Sequence, residues 1–239
     1  MDTPLTGKLY LIPNVVAEGT QEAVIPQHVR SVLPEIRYFL AEDVRTARRF
    51  LSSLKLYGSI EALHFDVLDK DTDMRALPAL FEPLLEGHNL GVVSESGCPG
   101  VADPGALAVR YAHDHGIPVV PLVGPSSLLL ALMASGLNGQ RFAFHGYLPV
   151  DGKDAAKAIK DLEKESRQKN QTQLFIETPY RNNSLLAVLL KNLADTTRLS
   201  VSVDLTGSGE QTITRPVKQW RTMSVSFPKA PAVFLFLAI

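Results

Sequence analysis

The chain has 239 residues, 24 of them basic and 25 acidic, for a formal net charge of −1. That balance gives no global field for a polyanion, so a nucleic-acid partner would have to be held by placed charges. With 45% hydrophobic and 21% charged residues the composition is that of a globular chain rather than a disordered one, and the length suits one large domain or two small ones.

The start, MDTPLTGKLYLIPN, carries an acid at position 2 and too short an apolar run for a signal peptide. Strands are expected at 8–12, 38–41, 62–65, 90–94 and 119–122, with helical patterns at 29–33, 46–54, 75–86 and 105–115 between them. This alternation predicts a mostly parallel sheet. A helix over 126–135 leads into a second half, with strands at 142–145, 173–176, 199–203, 212–214 and 232–237 and helices at 154–169 and 182–193. The stretch DAAKAIKDLEKESRQKNQ reads as a solvated amphipathic helix, with Ala156, Ile159 and Leu162 on one stripe. The fold class is therefore α/β, in two α/β domains spanning 1–122 and 123–239, with a cofactor cleft expected between them. The longest apolar stretches, near 128–132 and 232–239, fall far short of a membrane span. Cys98, the only cysteine, rules out an intrachain disulfide and points to a reducing setting. A cytoplasmic protein with no membrane partner is expected.

Two places carry the strongest functional signal. The apolar run at 90–93 stops in Ser94-Glu95-Ser96-Gly97-Cys98-Pro99-Gly100, and the run at 117–123 stops in Gly124-Pro125-Ser126-Ser127. Either loop alone is an ordinary strand–helix turn. Two small-residue loops after successive strands fit the carboxyl edge of an open α/β sheet, where ligands bind against exposed backbone. No G-x-G-x-x-G follows the first strand and no G-x-x-x-x-G-K-[ST] occurs, which argues against NAD and ATP. The six histidines are scattered, so no metal site is expected, and no G-x-S-x-G marks a serine hydrolase.

Three polar clusters remain. Glu42, Asp43 and Arg45 follow the apolar strand ending at Ala41, with an N-cap by Asp43 as the plain alternative. Glu177, Tyr180 and Arg181 follow the strand ending at Ile176, where Pro179 also suits a helix start. Tyr147-Leu148-Pro149 and Lys229-Ala230-Pro231-Ala232 set apolar and proline residues beside strands, an arrangement suited to bordering a flat ring but more readily explained as ordinary strand edges.

With these residues laid out, the chain resembles the tetrapyrrole methylase superfamily of S-adenosylmethionine-dependent methyltransferases. The resemblance is nearest to the ribosomal RNA small-subunit methyltransferase I branch, which methylates a cytidine ribose 2′-hydroxyl. It rests on GKLYLIPN (7–14), AEDVRTARRFL (41–51), VSESGCPGVADPG (93–105), PVVPLVGPSSLLLALMASGL (118–137), RFAFHGYLP (141–149) and LFIETPYRN (174–182). Weaker support comes from VDLTGSGEQTI (203–213) and APAVFLFLA (230–238). The chain departs from the branch after the first strand, where Pro13-Asn14-Val15-Val16-Ala17 replaces the usual P-I-G-N-L.

The resemblance implies a tetrapyrrole-methylase-like homodimer with the methyl donor S-adenosylmethionine as cofactor and ribosomal RNA or the small ribosomal subunit as partner. It implies that Pro13 borders the donor, that Ser94, Glu95, Ser96 and Gly97 meet its amino-acid and ribose part, and that Ser126 and Ser127 contact it. Leu148, Glu177, Leu205, Pro231 and Ala232 would line its adenine and ribose side. A ribose hydroxyl has a very high pKa and needs a base or a nearby cation. Glu42, Asp43 and Arg45 are the candidates, with Arg181 clamping a phosphate or carboxylate. Methylation of a tetrapyrrole or other small molecule, or donor binding without transfer, are the competing readings.

Overall fold

The computed structural model describes residues 7–239, which divide into two compact units, one ending at Ser126 and the other running from Ser127 to Ile239. The first unit holds β1 (Leu9–Ile12), α1 (Gln21–Val24), α2 (Gln27–Val32), β2 (Tyr38–Ala41), α3 (Val44–Ser53) and β3 (His64–Val67). It continues with α4 (Leu77–Leu80), α5 (Glu82–Leu85), β4 (Leu90–Val93), α6 (Gly105–Asp114) and β5 (Val119–Pro121). Its strands form one sheet in the order β3-β2-β4-β1-β5, and every pair is parallel.

Strand alternation divides this unit's core between the sheet's two faces. Tyr10, Ile12, Phe39 and Val93 pack with Val29 of α2 and Phe50 and Leu51 of α3. Leu9, Leu40, Leu90 and Val92 pack on the other face with Leu77, Leu84 and the alanines Ala108 and Ala112 of α6. Where the apolar spacing predicts one helix over 75–86, the chain instead makes a 3₁₀ turn at Met74–Ala76 and two single turns, α4 and α5. Pro78 and Pro83 are the reason: each lacks an N–H and sits at the start of a new turn.

The second unit holds α7 (Ser127–Ser135), β6 (Phe142–Tyr147), α8 (Gly152–Lys169), β7 (Thr172–Glu177) and α9 (Asn182–Asn192). β8 (Arg198–Val203), β9 (Gln211–Pro216), α10 (Val217–Trp220) and β10 (Ala232–Leu237) complete it. Its sheet runs β6-β7-β10-β8-β9 and is mixed: β6 and β7 are parallel, and the other three pairs are antiparallel. Phe175, Phe234 and Phe236 form the centre of its core, and the buried Trp220 donates its indole N–H to Leu199 O at 2.9 Å. Asp151 caps α8 by accepting from Lys153 N and Asp154 N, and Asn170 ends it at φ 48°.

Candidate functional site

In the first unit β1 and β4 are neighbours, yet the helices that follow them pack on opposite faces of the sheet. That is a topological switch point, and the crevice at the carboxyl ends of two such strands is where open α/β sheets bind ligands. Asn14 holds the two loops together. Its Nδ2 donates to Ser94 O at 3.0 Å and Glu95 O at 3.1 Å, and its backbone N–H donates to Gly97 O at 2.9 Å. Its Oδ1 accepts from Val15 N at 2.7 Å, so this 3% exposed side chain is fully used. Sequence reasoning passed over Asn14, whose only local mark is an amide following a buried strand.

The segment after β5 joins the same edge. Gly124 lies so close to Pro13 that a Cβ there would stand 2.1 Å from the proline's own Cβ. The Cys98 thiol donates to Pro125 O at 3.3 Å. Gly97 sits at φ +70°, a region that side chains disfavour, and a Cβ on it would reach Pro125 O at 3.4 Å. Ser94 is buried and closes its own turn, donating to Ser96 O at 3.0 Å, while Glu95 and Ser96 are exposed. Pro13, Ser94, Glu95, Ser96 and Gly97 are therefore brought together. Ser126 ends the first unit and Ser127 opens α7 in the second.

Glu42 and Asp43 are adjacent in sequence but stand in different environments. Asp43 caps α3, its Oδ1 accepting from Thr46 N at 2.7 Å, and that bond is the main reason its carboxyl titrates below the usual range. Among the described residues Glu42 makes no hydrogen bond. Partial burial, then the carboxylates of Glu95, Asp103 and Asp69, push its carboxyl above the ordinary value, with Lys70 opposing. A raised value suits a general base better than a capping carboxylate does. Arg45 is exposed on the first turn of α3 and forms no ion pair among the described residues.

In the second unit, strand direction places the carboxyl ends of β6, β7 and β8 at the same edge as the amino end of β10, with Glu177, Ala232 and Val203 in register. Leu148, Glu177, Leu205 and Ala232 are buried along that edge and Pro231 is exposed beside them. Glu177 Oε1 accepts from Thr178 N at 2.7 Å. Its Oε2 lies 3.2 Å from Arg181 Nη2, close enough for an ion pair but not aligned for a hydrogen bond. Asn182 Nδ2 donates to Ala230 O at 2.8 Å, while Asn182 Oδ1 and Thr206 Oγ1, and Glu177 Oε2 apart from its ion pair, are buried without a hydrogen-bond partner among the described residues.

Buried polar atoms left unpaired are costly, so their gathering at one edge marks a place where a ligand could satisfy them. The loop after β8 is strained as well: Asp204 and Thr206 have φ of 51° and 68°, and Asp204 N donates to Pro231 O at 3.0 Å. A β-branched residue in that region is a genuine outlier of the kind that clusters at ligand clamps. Neither Asn182 nor Thr206 stood out in the sequence as a site residue. Among the described residues no group of His, Cys, Asp or Glu is placed to hold a metal ion. No helix among them is long and apolar enough to cross a membrane.

The sequence profile of the tetrapyrrole (corrin/porphyrin) methylases matches residues 15–220. A protein named ribosomal RNA small subunit methyltransferase I from Escherichia coli O157:H7 is 32% identical over 211 residues, covering 88% of this chain and 70% of that one. Its namesake from Pasteurella multocida is 30% identical over 219 residues, covering 90% and 74%. Among solved structures, uroporphyrin-III-C-methyltransferase from Thermus thermophilus aligns with a TM-score of 0.56 at 19% identity, over 97% of this chain and 92% of that one. The methyltransferase CobJ aligns at 0.62 and 15% identity, over 98% and 100%. At such identities the structural likeness speaks for the fold alone.

Proposed function

The chain belongs to the tetrapyrrole (corrin/porphyrin) methylase family and is a methyltransferase that uses S-adenosylmethionine; we propose that its acceptor is small-subunit ribosomal RNA, at a cytidine ribose 2′-hydroxyl. The observation that carries this reading is the match over 88% of the chain to a relative named for that RNA.

The residues present fit the donor. On the first unit, the loop after β4 offers backbone groups at Ser96 and the side-chain-free Gly97 for the amino-acid and ribose part, with Pro13 beside it. On the second unit, Oε2 of Glu177, paired with Arg181 but accepting no hydrogen bond, is an acceptor for a ribose hydroxyl, and Leu148, Leu205, Pro231 and Ala232 supply apolar surface for the adenine side. Ser126 and Ser127 add hydroxyls at the junction after Pro125. When bound, the donor supplies a methyl group already made electrophilic by its sulfonium.

What remains for the protein is to align a nucleophile, exclude water and ease loss of the acceptor's proton. Glu42 takes that proton, helped by a carboxyl held above its ordinary range, while Asp43 fixes the start of α3. Arg45, without an ion-pair partner among the described residues, is a cation free to meet a phosphate of the RNA. The contact of Arg181 with Glu177 supports an orienting role for that arginine rather than an acceptor clamp. The protein works as a homodimer in the cytoplasm; on α7, Leu129 and Met133, 52% and 78% exposed and one turn apart, are apolar groups a second copy could cover.

The test is transfer of tritiated methyl from S-adenosylmethionine into small ribosomal subunits taken from cells that lack this protein. Label in RNA, mapped to a ribose, supports the reading. Label in a corrin or porphyrin precursor with none in RNA overturns it, and donor binding without transfer to either acceptor makes the chain a binding protein.

A further inference from the structure

Beside the loops after β1 and β4, the first unit carries a pocket of about 310 Å³, at the lower end of the ~300–1,000 Å³ spanned by small-molecule sites. One wall is a single face of α3, where Thr46, Phe50 and Ser53 recur one turn apart with Arg49 beside them. The segment after β1, with Val16, also lines the pocket. Ser96, from the loop read above as donor-binding, is part of the lining, so a group seated here lies against that loop. The volume suits one flat base with its sugar.

The charges around the pocket are arranged for exchange. Arg49 lies 3.8 Å from Glu18 across the rim, with side chains 69% and 83% exposed, which makes a weak pair that an incoming anion can replace. Its neighbour Arg48 lies over the Phe65 ring at 5.1 Å and is occupied there. Arg49 is thus the α3 arginine that serves the pocket. RNA is read chiefly through bases splayed out of their stack and packed on apolar or aromatic surface, with phosphates held by basic side chains.

We infer that this pocket receives the acceptor nucleotide itself, with its base along the α3 face beside Val16, its phosphate on Arg49 in place of Glu18, and its ribose toward Ser96. The inference rests on the ribosomal RNA reading and adds to it that a single nucleotide, lifted out of its helix, is what the protein holds.

Two variants test it, with small ribosomal subunits from cells lacking this protein as the probe and tritiated S-adenosylmethionine as donor. Ser53→Phe fills the pocket from the α3 side, and Arg49→Gln removes an exposed cation without touching the core. Ser53→Phe is expected to lower transfer at least about tenfold with donor affinity unchanged. Arg49→Gln is expected to raise KM for the subunits by about five- to tenfold with kcat nearly kept, and to reduce the salt slope of subunit binding by about one. An unchanged KM and salt slope in Arg49→Gln overturns the pocket, whether or not Ser53→Phe folds. If the wild type methylates RNA and both variants match it, the pocket assignment alone falls. If the wild type transfers nothing to RNA, the acceptor reading falls and its nucleotide with it.

Discussion

Removing the Asn14 side chain should uncouple the loops that follow β1 and β4. Its amide makes two donor bonds to Ser94 O and Glu95 O and accepts a third from Val15 N. At a net of about 0.5–1.5 kcal/mol per bond, and with water able to resolvate the exposed Glu95 segment, Asn14→Ala should cost about 2–3 kcal/mol. For a chain of this length that is a fall in Tm of about 4–12 °C. The loop then has to be ordered by the donor itself, which should weaken S-adenosylmethionine binding about tenfold, or about 1.4 kcal/mol. Asn14→Asp is the sharper probe. It keeps the acceptor for Val15 N but turns a second oxygen toward the two carbonyls that Nδ2 now satisfies, so it should be less stable than the alanine variant despite its near-identical shape. Urea unfolding gives the stability difference and titration calorimetry the donor affinity. An aspartate variant as stable as the wild type, or an alanine variant with full donor affinity, would refute the clip.

Four further outcomes follow from the same geometry. Valine at Ser96 or Gly97 should weaken S-adenosylmethionine binding in calorimetry, more at Gly97 because its φ of +70° adds backbone strain, and NAD should not bind the wild type. Glu42 should give the rate of methyl transfer an acid limb displaced above the usual carboxylate range, absent in Glu42→Gln. Because its folded-state value is raised, ionisation of Glu42 lowers stability as pH rises through that value, so the glutamine variant should melt slightly higher than the wild type at neutral pH while losing transfer. Arg45→Ala should lose transfer with Tm and donor affinity kept, whereas Arg181→Ala, by freeing the buried Glu177 carboxylate, should lose donor affinity and Tm together. Light scattering at micromolar concentration should report twice the chain mass, and a clean monomer there would contradict the dimer.

What could be read from residues alone was whatever their near neighbours determine. The inner strands of the first unit, β1, β2 and β4, stand out as short apolar runs because a parallel sheet covered on both faces leaves no polar side to alternate with. The Asp43 cap is likewise local, a carboxylate meeting an amide three residues on. Prolines 78 and 83 were equally visible, and their effect on the spacing over 75–86 needed only their missing N–H to be weighed above the apolar pattern. The direction of the strands in the second sheet was not legible, because β10 runs antiparallel to its neighbours β7 and β8 through pairings dozens of residues away. The fixtures of the site have the same character. Asn14 meets Ser94 across 80 residues and Asn182 meets Ala230 across 48, while the oxygens of Glu177 and Thr206 that accept no hydrogen bond exist as such only once burial has removed their water. Hydrogen-bond partners and desolvation belong to tertiary packing, and a sequence period carries no record of either.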